Sequence, residues 1–241
     1  VSETLDVLAV FAHPDDAELL AGGSLARSVD RGERVGILDL TRGEMGSSGS
    51  AEIRHKEALQ AADTLGVLLR RNAELEDAGL VDSLESRLHL AGLIRELKPA
   101  VIVTHWMQSR HPDHAAAAQL VSNASFLAGL RKLDAPHEPF RPEKVIHATI
   151  FREDAPQPSF IVDVTGQVDR KMEALACYES QFGGATGAGE MFPGGDRPFP
   201  DQVRAHLAYW GSRIRKAYGE PFWTRETCEA ASLGTVGTST F

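Results

Sequence analysis

Cysteine is nearly absent from this sequence: there are two in 241 residues, Cys177 and Cys228. They have no paired metal spacing, so neither a disulfide framework nor a thiolate zinc site is indicated. Cys177 falls in an amphipathic stretch and is expected to be a small core residue. An excess of positive charge is also missing, since 25 Lys and Arg against 34 Asp and Glu leave a formal net charge of −9. That balance argues against a nucleic-acid partner, which would call for a basic face. It still allows an anionic small molecule, because a few local arginines can override the global sign. Long apolar runs are lacking too: Leu5 to Ala12 is too short to span a bilayer and holds Asp6. With no charged-then-apolar leader at the start, a cytoplasmic protein without a membrane partner is expected. No fixed-period repeat is visible. A hydrophobic share of 42% and a charged share of 24% are ordinary for a globular chain. The length suits a single domain over 1–241 with a substantial core.

What is present is alternation. Strand-like runs at Leu5 to Ala12, Val35 to Thr41, Val67 to Leu69 and Ala100 to Thr104 alternate with helical patterns over 17–30, 51–65, 83–98 and about 113–132. Such βαβ alternation predicts an α/β fold, a three-layer Rossmann-like sandwich with a mainly parallel sheet. After Pro142 the pattern loosens. Strands are expected over 144–151 and 160–164, a helix over 168–182, and a last helix over 201–218 with Leu207, Trp210, Ile214 and Tyr218 on one stripe. The loop 183–200, rich in Gly and Pro, suits a lid or a plain surface connection equally. The tail 224–241 is unassigned.

Chemistry gathers where the first buried strand ends. His13-Pro14-Asp15-Asp16-Ala17-Glu18 follows it directly, and open α/β sheets place ligand crevices at such ends. Far along the chain, Arg110-His111-Pro112-Asp113-His114 follows another buried strand and opens an Ala-rich helix. Either motif alone reads as a turn or a helix cap. Two of them, each at a strand end, point to a metal site. Imidazole and carboxylate suit zinc, and a catalytic zinc takes three protein ligands; His13, Asp16 and His114 supply them. Asp15, beside a ligand, is the candidate base for water and the acid for a leaving amine. His111 is placed to stabilise an oxyanion, with Asp113 orienting or charging its ring. Glu18 is expected to support a ligand. His105 reads as packed or capping, and His55, His89, His137, His147 and His206 as surface or core residues.

These paired motifs resemble the LmbE-like (PIG-L) zinc-dependent N-deacetylases, which act on N-acetylglucosamine conjugates. Further stretches narrow the resemblance to the bacillithiol-pathway branch, which deacetylates N-acetylglucosaminyl-L-malate. They are Asp39 to Gly46, Glu52-Ile53-Arg54, Phe126 to Lys132, Tyr178 to Phe182 and Tyr218 to Phe222. Ser47-Ser48 depart from a Thr-Arg pair frequent in that branch. The resemblance gives the same roles to the residues above and implies zinc, an amino-sugar glycoside as substrate and a homo-oligomer, a hexamer. It makes Arg54 a contact to sugar hydroxyls and Arg141 a residue that swings toward the site. From its position alone Arg54 would be a solvated helix charge. Two malate carboxylates need local cations, and Arg54, Arg110, Arg131, Lys132 and Arg141 are the candidates. Mycothiol-type or chitooligosaccharide conjugates are the substrate alternatives. Two other classes differ in what they require: a phosphoesterase needs ligands for a second metal, and a sugar-binding module needs a closed metal site with a fourth protein ligand.

Overall fold

The computed structural model describes residues 4–149, 151, 157–183 and 197–232. Seven strands form one sheet: β1 (Val7–Phe11), β2 (Val35–Thr41), β3 (Leu69–Leu75), β4 (Val101–Thr104), β5 (Lys144–Ala148), β6 (Phe160–Asp163) and β7 (Gly219–Thr224). Their spatial order is β3-β2-β1-β4-β5-β7-β6. The first five run parallel, while β7 lies antiparallel between β5 and β6. The order reverses at β1, which has β2 on one side and β4 on the other. A crevice is therefore expected beyond the carboxyl ends of β1 and β4, and both His-Pro-Asp motifs follow those two strands.

Helices cover both faces: α1 (Asp16–Asp30), α2 (Ala51–Leu65), α3 (Leu84–Leu97), α4 (Pro112–Ala128), α5 (Val168–Ala176), the one-turn α6 (Glu179–Phe182) and α7 (Phe199–Ser212). Alternate side chains of β1 divide between the faces, as strand geometry requires. Leu8 and Val10 join Leu90, Ile94, Leu120 and Val121 of α3 and α4. Ala9 and Phe11 join Ala21, Leu25, Ala61 and Ala174 on the other side. Ser50 and Ser83 cap α2 and α3, their hydroxyls accepting from the NH groups of Ile53 and Ser86, and Gly66 ends α2 at φ +76°.

The elements expected near residue 67 and over 201–218 differ from the structure for identifiable reasons. β3 runs on to Leu75 through Arg70, Arg71 and Asn72, polar residues that a half-buried sheet edge accepts. The last helix stops at Ser212 and the chain turns back as β7, a strand disguised by Gly219, Glu220 and Pro221. β5 ends at Ala148. The expected helix over 168–182 breaks at Tyr178, leaving Cys177 half-buried at the end of α5. Residues 184–196 of the Gly/Pro-rich loop and the tail beyond 232 lie outside the described residues. Among the described residues no helix is long and apolar enough to cross a membrane.

An ion pair fastens β7 to α5, and both its members hold the main chain of α1. Lys171 Nζ donates to Glu220 Oε1 at 2.6 Å and to the Leu19 carbonyl at 2.7 Å. Glu220 also accepts from the main-chain NH groups of Gly23 (2.9 Å) and Ser24 (2.6 Å), in the middle of α1. A Cβ at Gly23 would lie 2.9 Å from Val164 Cβ and 3.1 Å from Glu220 Oε1, so only glycine allows this approach. Both partners are 1% exposed, and removing one leaves a buried charge unpaired. Lys171→Met is expected to cost about 3–5 kcal/mol in urea unfolding, and a loss under about 1 kcal/mol would contradict this account.

His206 in α7 packs edge-on against Phe151 and Trp210. Burial, with Lys171 adding to it, pushes its imidazole down to about 4. As pH falls through the unfolded value of about 6.5, the unfolded chain takes the proton first. Stability is therefore lost between about 6.5 and 4, and below 4 this contribution is flat. Melting curves from pH 7.5 to 4.5 should fall less steeply for His206→Gln than for the wild type. Parallel curves would rule this out.

Candidate metal centre

The site begins at Ala12, just past β1. Its carbonyl accepts from Thr41 NH and Thr41 Oγ1 at the end of β2, at 2.9 and 3.0 Å. Its NH donates to His105 Nε2 at 2.9 Å, so a side chain from beyond β4 stands where a ladder carbonyl would. The chain then turns sharply into α1. Asp15, the residue before the helix, has φ +117°, a conformation costing on the order of 1–3 kcal/mol for a non-glycine residue. That turn sends Asp15 and Asp16 in different directions.

Asp16 lies among imidazoles. Its Oδ2 is 3.2 Å from His13 Nδ1 and 3.3 Å from His105 Nε2, and its Oδ1 is 3.2 Å from His114 Nε2. His105, His114 and His111 stack in that order, with ring centroids 4.0 and 4.4 Å apart. His105 is buried, His114 half-buried and His111 exposed. Burial opposes the charge on Asp16, but His114 and His105 hold its carboxyl well below the usual range. Burial pushes His105 down to about 3, helped by His114, and lowers His111 as well. Burial also works against a charge on His13, yet Asp113, Asp16 and Asp77 raise it well above the usual imidazole value.

Such a surplus of carboxylate around His13 suits a cation. His13 with His111 and His114, Asp16 with His105 and His114, and His13 with Asp77 and Asp113 each form a group able to surround one ion. The expected set, His13, Asp16 and His114, runs across the first two groups. Asp16 Oδ2 lies 3.2 Å from His13 Nδ1, and its other oxygen, Oδ1, lies 3.2 Å from His114 Nε2, so the two histidines flank opposite oxygens of one carboxylate. The donor types suit a zinc-like ion.

Asp15 stays outside that group. Arg54 Nη2 donates to Asp15 Oδ2 at 2.9 Å and to the Pro14 carbonyl at 2.5 Å, and Nη1 donates to the Gly43 carbonyl at 3.2 Å. Gly43, at φ +66°, leaves room for the guanidinium, since a Cβ there would lie 2.3 Å from Nη1. Burial raises the Asp15 carboxyl to about 7 against the pull of Arg54, and a cation bound beside it would add to that pull.

Several expectations need correction. Arg54 is not a solvated charge at the helix start: it is 5% exposed and braces Asp15. Glu18 does not support a ligand, because its carboxylate pairs with Arg70 and accepts from Tyr178 Oη at 3.2 Å. Asp113 hydrogen-bonds not with His111 but with the Ala78 and Leu80 NH groups at 2.8 and 3.3 Å, and lies 3.4 Å from His13 Nε2. Its charge still acts on His111. Arg141 is outside the site: its guanidinium lies over the Phe126 ring and donates to the Phe126 carbonyl. Twelve helical residues at about 1.5 Å each separate His114 from Phe126, or roughly 18 Å. Arg131 and Lys132 follow the same distant end of α4. Arg110 is exposed just ahead of His111. Capping fails as the explanation of both motifs, since neither Asp15 nor His111 makes a side-chain cap hydrogen bond.

Sequence reasoning missed Asp77 and Arg70 and undervalued His105. Asp77 follows β3 in a stretch with no metal-ligand spacing. Arg70 lies in a strand whose polar residues concealed it. His105 follows a strand end directly, and that position was its only signal.

A histidine and carboxylate cluster at the switch point of a parallel sheet, with an acid held apart from it, is the arrangement of a candidate metal site in an α/β enzyme. The family model described as PIG-L, GlcNAc-PI de-N-acetylase, matches residues 8–125, and the chain belongs to that family of enzymes. It is 29% identical over 194 residues to a diacetylchitobiose deacetylase of Thermococcus kodakarensis, covering 73% of this chain and 70% of that one. It is 28% identical over 232 residues to a protein of Bacillus anthracis named probable N-acetyl-alpha-D-glucosaminyl L-malate deacetylase 2, covering 90% and 93%. The conserved protein TT1542 of Thermus thermophilus has the same fold, with a TM-score of 0.85, 40% identity and coverage of 95% and 99%.

Proposed function

We propose that this protein is a zinc-dependent N-deacetylase of an N-acetylglucosaminide, with N-acetyl-D-glucosaminyl-L-malate of the bacillithiol pathway as the preferred substrate. The observation that carries this reading is the division of roles between adjacent carboxylates. Asp16 lies among His13, His105 and His114, while Asp15 is turned aside onto Arg54. The names of the relatives support an acetamide on glucosamine as the group cleaved.

His13, Asp16 and His114 would hold the zinc, which when bound supplies Lewis acidity to the acetyl carbonyl and makes water easier to deprotonate. Asp15, with Oδ2 fixed by Arg54, takes the proton of the attacking water at Oδ1. The water oxygen bonds to the acetyl carbon. Asp15 then returns the proton to the sugar nitrogen as the C–N bond breaks, releasing acetate and the amine. His111, at the exposed end of the imidazole stack, donates to the developing oxyanion, and Asp113 acts on its charge. A phosphoesterase would need a second metal, for which Asp77 and Asp113 are the nearest carboxylates; the relatives named as deacetylases favour the amide reading instead. Of the cations proposed for malate, Arg54 is buried on Asp15 and Arg110 is exposed just ahead of His111, so charge recognition of the aglycone is assigned to Arg110.

Elemental analysis should find about one zinc per chain and much less in His114→Ala; full zinc in that variant would remove His114 from the ligand set. Asp15→Asn should keep its zinc and turn over more slowly by on the order of 10²–10⁴-fold. Near-normal turnover would assign the base elsewhere.

Acetate release should favour N-acetylglucosaminyl-malate over free N-acetylglucosamine, diacetylchitobiose and the inositol glycoside. The preference should lie mainly in KM and shrink with added salt. Equal kcat/KM across this panel would leave the deacetylase chemistry standing and overturn the malate assignment.

A further inference from the structure

The two ring nitrogens of His13 have different neighbours. Nδ1 lies 3.2 Å from Asp16 Oδ2, on the side where the metal-binding side chains converge. Nε2 faces the opposite way, 3.0 Å from Asp77 Oδ1 and 3.4 Å from Asp113 Oδ2. A ring nitrogen that binds a metal must present its lone pair, so in a neutral imidazole the other nitrogen carries the hydrogen. What accepts that hydrogen fixes both the tautomer and the direction of the lone pair.

We propose that Asp77 is the positioning residue for His13, accepting the Nε2–H hydrogen bond and thereby aiming Nδ1 at the metal. The inference deepens the zinc reading above and rests on it. Asp77 is the nearer of the two carboxylates, at 3.0 against 3.4 Å, with Asp113 beside it as a second acceptor for the same nitrogen. Both are buried. The Asp77 carboxylate is held at both oxygens, Oδ1 accepting from Ala78 NH at 2.8 Å and Oδ2 from Met45 NH at 2.8 Å. A carboxylate so held cannot swing away from the imidazole. The same residue joins two loops: its own NH donates to Glu44 Oε1 at 3.1 Å, in the segment whose Gly43 carbonyl binds Arg54. One side chain thus links His13 to the loop that braces Asp15.

The test is zinc affinity, measured on the metal-free full chain by competition with a chromogenic chelator and zinc(II) alone. Asp77→Ala should bind zinc about 10–100-fold more weakly. Asp77→Asn, which keeps an oxygen acceptor without the charge, should fall between, weaker by about threefold or more. Glu44→Ala removes the loop's tie to Asp77 and leaves the carboxylate on His13, so it should bind like the wild type. Melting of the metal-free proteins checks folding, and Asp77→Asn carries the test if the alanine variant does not fold. Wild-type affinity in both Asp77 variants, or an equal loss in Glu44→Ala, would overturn the inference and leave the zinc reading intact. A wild-type chain that binds no zinc would overturn both.

Discussion

Arg70 is the charge around which one face of the sheet is assembled. It leaves β3 with its side chain 3% exposed, grips both oxygens of Asp39 on β2 at 2.8 Å, and pairs with Glu18 in the first turn of α1. It also donates to the Ala58 carbonyl of α2 at 3.1 Å, and Tyr178, just before α6, completes the group through Glu18. Two buried carboxylates and one guanidinium are tolerable only while they remain together. The arrangement therefore fixes where α1 begins, and α1 begins with the site. Asp15 can be held at φ +117° because the residues after it are anchored from below.

That anchoring explains how neighbouring carboxylates come to differ. Asp16 is kept ionised by imidazoles despite burial, whereas burial raises Asp15 toward neutrality against Arg54. A pair of titratable groups whose surroundings push them apart is a general mark of divided roles. Here the separation originates in the backbone turn and in the guanidinium lodged beneath Gly43. Both depend on tertiary contacts rather than on the motif alone.

The motif residues were legible because their chemistry is out of place at the end of a buried strand. The boundaries of β2 and α2 were legible because Thr41 precedes a Gly/Ser loop, Ser50 is a cap and Gly66 a stop. The tertiary partners were not. Nothing local marks Asp77 as a neighbour of His13 or Arg70 as a partner of Glu18, since those contacts cross from one βα unit to another. β7 was hidden by Pro221, which removes a ladder donor from an interior strand. Arg141 entered through the resemblance and through no signal of its own, and its guanidinium lies on the Phe126 ring at the far end of α4.

The tie between Glu220 and the NH groups of Gly23 and Ser24 closes a separation of 197 and 196 residues. Contacts of such range form late, because the entropy of closing the loop must be overcome before they contribute. During synthesis the chain emerges from its amino end, so the His-Pro-Asp-Asp turn is made early and α1 waits for its last partner. Until β7 arrives, Lys171 and the middle of α1 lack the carboxylate that joins them. The first half of the candidate site is thus finished by a segment that leaves the ribosome long after it, and a chain cut short before β7 would carry the motif without its support.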